Sequence, residues 1–283
     1  MKTREFGVTG RRVPVIGQGT WNFPATKSEI ESARKALRTG VEHGMTHIDT
    51  AEMYGNGASE EIIGNAIYDL PRRNLFIVSK VLPSNASKKG TIAACERSLK
   101  RLGTDYLDCY LLHWRGSFPL SETIEALEKL IDDGKILSLG VSNFDVDDLQ
   151  EALKFASKPL ACNQILYNLH TRGPERNIIP FCEQRKIAVV GYTPFAQKRP
   201  LPSGTVGGDV LNEIAKKYEA TPRQIILAFL VRQHNVLTIP KSADVGHTIE
   251  NAGGGEIELS ARDLDRLDLA FPAPARDVAL QVL

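Results

Sequence analysis

Eight short apolar runs, each followed by a stretch with helical spacing, constrain the fold of this chain more than any other feature. The runs are VIGQG, THID, LFIVSK, YLDCYLLH, ILSLGVS, LACNQI, IAVVGYTP and VLTIP. Most are continuously apolar rather than alternating, as in strands that are covered on both faces. Eight strand–helix units in about 250 residues are typical of a (β/α)8 barrel. We therefore predict an α/β protein with a TIM-barrel fold.

The stretches between the runs carry the marks of amphipathic helices. Apolar residues fall on one face in the first of them, at Ile30, Ala33, Leu37 and Val41. Thr221, followed by Pro222 and Gln224, predicts a capping box at a helix start, and Ser28 with Glu31 predicts another.

Both ends of the repeat are also legible. REFGV and RVPVI flank Thr9 and Gly10, which predicts a short N-terminal β-hairpin closing the bottom of the barrel. Residues 198–208 are predicted to form a long polar loop after the seventh strand. No linker or low-complexity segment divides the chain, so we expect one domain over residues 1–283. A doubly wound sheet is the alternative, although no GxGxxG follows the first strand.

Composition excludes several classes of function. Of the 283 residues, 42% are hydrophobic and 24% charged, and the net charge is +1. This balance is ordinary for a globular protein and argues against a nucleic-acid partner or an anionic membrane surface. The N-terminal residues have no apolar core of signal-peptide length, and no run is long enough to span a membrane. The four cysteines form no CxxC pair, so we expect reduced thiols, no metal site and a cytoplasmic location.

Four polar side chains stand at or just beyond the ends of three consecutive strands: Asp49, Tyr54, Lys80 and His113. Each alone has an ordinary structural explanation. The aspartate could cap a helix, the tyrosine could pack as a wall, the lysine could reach solvent, and the histidine could be hydrogen-bonded in the core. Because function in such barrels gathers at the carboxyl ends of the strands, their joint placement predicts one catalytic site.

The chemistry of these groups favours carbonyl reduction with a nicotinamide cofactor. Tyr54 would be the general acid, although a free tyrosine has a pKa near ~10. Lys80 would lower that pKa, and Asp49 would hold the lysine charged. His113 would orient the carbonyl oxygen. Two alternatives stay open: a lyase forming a Schiff base at Lys80, and a barrel that binds cofactor without turnover.

A set of motifs resembles one known family. They are GQGTW (17–21), DTAEMYGNGASEE (49–61), SK (79–80), LLHW (111–114), LGVSNF (139–144), NQI (163–165), GYTPFA (191–196), IPKS (239–242) and IEN (249–251). Over nearly its whole length the chain is similar to an aldo-keto reductase. The resemblance implies a barrel that binds NADPH without a Rossmann domain, reduces aldehydes and ketones, and acts as a monomer.

The resemblance also implies roles for further residues. Ser142, Asn143 and Gln164 would bind the nicotinamide carboxamide, and Tyr192 would stack on the ring. Lys241 and Ser242 would hold the adenosine 2′-phosphate, with Glu250 and Asn251 at the adenine. The rest of the implied cofactor cleft is Gly19, Thr20, Trp21, Asp49, Thr193, Pro194, Ile239 and Pro240. The implied substrate pocket is Trp21, Tyr54, His113 and Trp114.

Three departures from the family pattern affect these expectations. His247 stands where the family usually has an arginine for the 2′-phosphate, which predicts a weaker preference for NADPH and use of NADH as well. The stretch HWRGS lacks the usual proline after His113, which changes a pocket loop. The tail ending RDVALQVL is short, which predicts an open, permissive substrate pocket.

Overall fold

The computed structural model describes residues 1–23, 26–197 and 204–283. Within these ranges the chain forms a two-stranded antiparallel sheet and an eight-stranded parallel sheet, surrounded by helices. The hairpin strands are β1 (Thr3–Glu5) and β2 (Arg12–Pro14). The parallel strands are β3 (Gln18–Gly19), β4 (His47–Asp49), β5 (Phe76–Val81), β6 (Cys109–Leu112), β7 (Leu139–Ser142), β8 (Leu160–Leu166), β9 (Ala188–Tyr192) and β10 (Val236–Thr238).

The parallel strands are arranged in chain order and close into a barrel. Each strand from β3 to β10 pairs with the next one along the chain. The first and last strands are then joined by Gly17 N–H donating to Thr238 O at 2.8 Å, Thr238 N–H donating to Val15 O at 3.0 Å, and Gly19 N–H donating to Pro240 O at 3.0 Å. This closure confirms the predicted (β/α)8 fold and rules out the doubly wound alternative.

In the described part of the chain, the helices are α1 (Lys27–Glu42), α2 (Ala58–Ile67), α3 (Lys88–Leu102), α4 (Leu120–Asp132), α5 (Val146–Phe155), α6 (Ile178–Gln184), α7 (Val206–Lys217), α8 (Pro222–Leu230), α9 (Val245–Gly254) and α10 (Ala261–Ala270). The capping box predicted at α8 is present, with Thr221 and Gln224 each bonded to the other's backbone. None of the described helices has the length and apolarity that a membrane crossing requires.

Two local predictions were wrong. Helix α1 starts one residue after Thr26, whose hydroxyl bonds to Glu29, so Ser28 and Glu31 do not form the predicted box. The end of the predicted polar loop is helical, because α7 begins at Val206 with Thr205 as its cap. Residues 198–203 of that loop lie outside the described residues.

The hairpin packs under the barrel, as predicted. Phe6, between β1 and β2, is fully buried and its ring centroid lies 4.5 Å from that of Phe76, the first residue of β5. It also meets the imidazole of His47, the first residue of β4, at 5.6 Å. The barrel floor is therefore an aromatic cluster that holds one buried histidine.

His47 is an unusual member of this cluster. Neither of its ring nitrogens has a hydrogen-bond partner among the described residues. Burial and the charge of Lys80 lower the pKa of His47 from 6.5 to about 3. The imidazole is therefore neutral in the folded protein at neutral pH, whereas it titrates normally once the chain unfolds.

This arrangement predicts that acid weakens the fold through His47. Between about pH 6.5 and pH 3 the unfolded chain binds a proton that the folded chain does not, so stability falls as pH falls. We expect His47→Leu to gain about 2 kcal/mol over wild type on going from pH 7 to pH 5, measured as the free energy of unfolding in urea. Phe6→Leu alters the same cluster but leaves His47 in place. It should change the free energy of unfolding by the same amount at pH 7 and at pH 5. An identical pH dependence in His47→Leu and wild type would contradict this account.

Candidate active site

Three of the four predicted residues meet at the carboxyl ends of β4 and β5. Lys80 Nζ donates to Asp49 Oδ1 at 2.6 Å, to the carbonyl of Thr50 at 2.7 Å and to Tyr54 Oη at 3.3 Å. The Lys80 and Asp49 side chains are 0% and 1% exposed. The ammonium thus lies between a carboxylate and a phenol, out of contact with solvent.

Local sequence explains how Tyr54 turns back over these strands. Residues 54–57 read YGNG and form a short 3-10 segment before α2. Gly55 and Asn56 have φ values of 57° and 56°, and Gly57 has φ 96°. Such a run of left-handed residues is tolerated by glycine and asparagine and by few others. The turn places the tyrosine hydroxyl above the lysine.

The charge on Lys80 is secured by its neighbours. Burial would lower the pKa of Lys80, but the Asp49 carboxylate and Tyr54 raise it above its ordinary value. For the Asp49 carboxyl group burial acts in the other direction and raises the pKa. Lys80 and a hydrogen bond from Gln164 oppose this shift. The lysine is therefore an ammonium ion at neutral pH, held by a carboxylate.

Lys80 acts on the pKa of Tyr54 in the predicted direction, but a larger effect of burial opposes it. Burial raises the pKa of Tyr54 above its ordinary value, although the Lys80 ammonium opposes this shift. The hydroxyl is 3.3 Å from the ammonium, and desolvation outweighs that contact. Tyr54 accordingly keeps its proton at rest.

His113 completes the group from the end of β6. Its ring centroid is 5.7 Å from that of Tyr54, edge to face, and 4.7 Å from that of Trp114. Burial and the Lys80 charge lower the pKa of His113 from 6.5 to about 2, so the imidazole is neutral. Its Nδ1 has no hydrogen-bond partner among the described residues.

A cavity of about 1060 Å³ opens above this group. Trp21, which is 42% exposed, stands at its edge rather than in the core. The predicted residues that line it are Gly19, Thr20, Trp21, Asp49, Tyr54, His113, Trp114, Ser142, Asn143, Gln164, Tyr192, Thr193, Pro194, Ile239 and Lys241.

Polar groups on the far wall of this cavity are hydrogen-bonded to the four candidate residues. Tyr192 Oη donates to Asn143 Oδ1 at 2.7 Å, and Asn143 Nδ2 donates to the carbonyl of His113 at 3.1 Å. Gln164 Nε2 donates to Asp49 Oδ2 at 2.7 Å. Asn143 does not cap α5, since Asp145 does so. The bond from Gln164 to Asp49 had no signal in the sequence, because 115 positions separate the two residues.

A second cavity, of about 720 Å³, adjoins the first and shares Asn22 and Lys241 with it. The predicted Ser242 and His247 line it. Burial lowers the pKa of Lys241. Two carboxylates that sequence reasoning missed, Glu29 and Asp244, also line this cavity. Lys241 therefore shares this cavity with two acidic side chains.

Three predicted cofactor residues line neither of these two cavities: Pro240, Glu250 and Asn251. The Glu250 carboxylate accepts a hydrogen bond from Thr221 Oγ1 at 2.6 Å, at the start of α8. Asn251 is buried within α9.

The C-terminal tail, although short, reaches the larger cavity, and the openness of the pocket stays a prediction. Gln281, Val282 and Leu283 line the wall, together with Asn168, His170 and Thr171 from the loop after β8. Sequence reasoning missed the loop after β8, because it carries no motif.

Comparison with known proteins identifies the family to which the chain belongs. A family model described as the aldo/keto reductase family matches residues 15–270. The chain belongs to this family. Such a match, covering most of the barrel, fits the motifs at the strand ends.

Individual aldo/keto reductases are similar over nearly their whole length. The methylglyoxal reductase YeaE of Escherichia coli is 45% identical, covering 96% of this chain and 95% of its own. A glyoxal reductase of Bacillus subtilis is 38% identical over 92% of this chain and 89% of its own. An aldo-keto reductase from Klebsiella pneumoniae, solved in complex with NADPH, is 44% identical with a TM-score of 0.94, over 100% and 99% of the two chains.

The buried ion pair makes a prediction about stability. Lys80→Met removes one partner and leaves the Asp49 charge buried, which should cost about 3–5 kcal/mol of unfolding free energy. Adding Asp49→Asn should recover part of that loss, as measured by urea unfolding of the single and double variants. Lys88→Met, which breaks a surface pair with Glu125, is the matched control and should leave stability unchanged. Equal stability of Lys80→Met and the control would contradict a charged pair.

Proposed function

We propose that this aldo/keto reductase reduces aldehydes and ketones to alcohols with NADPH as hydride donor, as one barrel domain over residues 1–283. The observation that carries the proposal is the buried contact of Lys80 with both Asp49 and Tyr54 beneath a cavity large enough for substrate and nicotinamide. A phenol, an ammonium and a neutral imidazole face the same space. That set can protonate an oxygen but has no nucleophile ready for attack.

The two adjoining cavities fit an extended dinucleotide. Ser142, Asn143 and Gln164 present hydroxyl and amide groups near the catalytic cluster, where a carboxamide would be held. Lys241 stands where the cavities meet and supplies the positive charge that a phosphate needs. The bound cofactor would supply a hydride to the carbonyl carbon.

Tyr54 is placed to supply the proton. Its raised pKa keeps the hydroxyl protonated until negative charge develops on the substrate oxygen. Once the proton leaves, the phenolate is 3.3 Å from the Lys80 ammonium, which stabilises it. Asp49 and the Thr50 carbonyl hold that ammonium in place. Neutral His113 can donate one N–H to the same oxygen and orient it.

The alternatives have less support. A Schiff-base lyase requires a neutral amine, whereas Lys80 has a raised pKa and an aspartate partner at 2.6 Å. A non-catalytic binding module would not need the Tyr54 and His113 side chains beside the ammonium. Trapping with borohydride in the presence of substrate would detect the lyase, and turnover of a simple aldehyde would exclude the binding module.

We further infer that short 2-oxoaldehydes such as methylglyoxal are among the substrates. The names of the Escherichia coli and Bacillus subtilis relatives support this inference. A panel of aldehydes, ketones and dicarbonyls, followed at the absorbance of the reduced nicotinamide, would rank them by kcat/KM.

We also infer that the protein is a cytoplasmic monomer. The four cysteines of the described residues are free and buried, which supports the cytoplasmic location. Light scattering after size exclusion would test the oligomeric state.

Tyr54→Phe tests the proton donor. Removing the hydroxyl should lower kcat by about 10²–10⁴-fold, because general acid catalysis is lost. The dissociation constant of NADPH, measured by fluorescence titration, should stay near the wild-type value. Tyr68→Phe alters an exposed tyrosine and is the matched control. Near-wild-type turnover by Tyr54→Phe would remove the acid assignment.

His247→Arg tests the cofactor preference. An arginine there would supply a fixed charge and a bidentate fork to the 2′-phosphate, so NADPH should bind more tightly while NADH changes little. Dissociation constants for both cofactors decide the matter. His234→Arg adds the same charge just before β10, at the other end of the barrel, as a control. Equal tightening of both cofactors would refute a 2′-phosphate role for position 247.

A further inference from the structure

A buried arginine outside the catalytic group joins two parts of the pocket wall. Arg172 lies in the loop after β8, and its side chain is 4% exposed. Its Nε and Nη2 donate to the two oxygens of Glu175 at 2.8 and 2.6 Å. Nη2 also donates to Asp268 Oδ1 at 2.6 Å, and Nη1 donates to the carbonyl of Phe271. Asp268 lies in α10, and Phe271 is the first residue after that helix. One guanidinium therefore contacts both the loop after β8 and the start of the C-terminal tail.

The loop side of this contact is rigidly built. Glu175 also accepts from Tyr167 Oη at 2.6 Å and from Arg232 Nη2 at 2.9 Å. Burial would raise the pKa of Glu175, but its arginine and tyrosine partners lower it below the ordinary value. The carboxylate is therefore ionised. The charges of Arg172 and Arg232 balance those of Glu175 and Asp268, and Asp268, whose side chain is 45% exposed, is the member that contacts solvent most.

The same cluster connects with the cofactor side of the cavity. Tyr167 follows the last residue of β8, and its backbone N–H donates to the carbonyl of Tyr192 at 3.3 Å. The next residue, Asn168, donates through Nδ2 to the carbonyl of Thr193 at 3.2 Å. Movement of the loop would therefore reach the residues that line the nicotinamide end.

The C-terminal tail, residues 271–283, starts at its contact with Arg172 and follows the loop after β8 into the cavity. Val278 packs so close to Gly173 that a Cβ there would lie 2.6 Å from its Cγ2. Thr171 Oγ1 donates to Gln281 Oε1 at 3.4 Å. At the far end, burial raises the pKa of Tyr192 to about 12 while a backbone hydrogen bond from Leu283 opposes the shift.

We propose that Arg172 is a positioning residue for the substrate pocket: it fastens the start of the tail to the loop after β8 and thereby sets the wall that residues 281–283 form. Arg172 itself does not line the cavity. It acts through the tail, so its loss should affect how substrate is held more than how a proton is delivered. The inference rests on the proposed reductase function for its kinetic readout and stands without it for its structural readout.

The structural readout is proteolysis of the tail. Arg276 is exposed and is a trypsin site within the tail. In Arg172→Gln the Phe271 carbonyl and Asp268 lose their donor, so we expect trypsin to release residues 277–283 at least several-fold faster than in wild type, as followed by mass spectrometry. Arg185→Gln, which changes an arginine that packs on Phe181 in α6, is the matched control and should release the peptide at the wild-type rate. If Arg172→Gln does not fold, Arg172→Lys keeps the charge but not the fork and replaces it.

The kinetic readout is a double-mutant cycle. In the wild-type background Arg172→Gln should raise KM for the aldehyde about tenfold with kcat within about twofold, because substrate binding would then have to order the tail wall. In a background with Gln281→Gly, Val282→Gly and Leu283→Gly, the same substitution should leave KM unchanged, because the wall through which Arg172 acts has already been removed.

The outcomes separate cleanly. Faster release together with a KM effect that disappears in the glycine background supports the proposal. Release at the wild-type rate, or a KM effect of equal size in both backgrounds, overturns it. Absence of turnover in the wild-type enzyme would instead defeat the proposed function, and the proteolysis result alone would then decide whether Arg172 holds the tail.

Discussion

The buried pair of Lys80 and Asp49 is the interaction on which the site depends. An ammonium with no access to solvent is tolerated only where a carboxylate and further acceptors replace its water shell. Here Asp49, the Thr50 carbonyl and Tyr54 do so within 3.3 Å. The ends of two strands, β4 and β5, and one left-handed turn must be correctly placed for this to occur. The barrel and the chemistry are therefore specified together, since a displaced strand would leave a bare charge.

Burial acts on the titratable groups of this protein in one consistent way. It keeps His47 and His113 neutral, and it keeps Tyr54 protonated despite the adjacent ammonium. Among the four catalytic candidates, charge at neutral pH therefore resides in the Lys80–Asp49 pair. Under the proposed mechanism, a substrate oxygen that becomes negative beside this group meets a proton donor and a cation rather than bulk water.

The sequence predicted the fold and the placement of the four candidate residues at strand ends because both follow from short-range patterns. Apolar runs such as LFIVSK mark strands, and Lys80 at the end of that run is placed by strand direction alone. The capping box at Thr221 was also predictable from local chemistry. At α1, however, Thr26 is the N-cap instead of the expected Ser28, and both residue types suit that position. The net effect of burial on Tyr54 was not predictable, because it depends on how much water the folded chain removes.

Contacts between distant segments were the main omission. Gln164 bonds to Asp49, and Arg172 bonds to Phe271, across 115 and 99 positions. The acidic residues Glu29 and Asp244 come to the same cavity from α1 and from the cap of α9. None of these pairs has a motif, since any of several residues could meet there. They become visible only when the strands have fixed where each loop emerges.

The junction between the first and last strands has a consequence for biosynthesis. Val15 and Gly17 bond to Thr238, more than 200 positions later, so a ribosome must finish almost the entire polypeptide before the cylinder can seal. Until then the first strand is an exposed edge whose unpaired backbone groups can pair with other molecules. Such a topology favours slow completion and makes the interval before release the period of greatest exposure to aggregation.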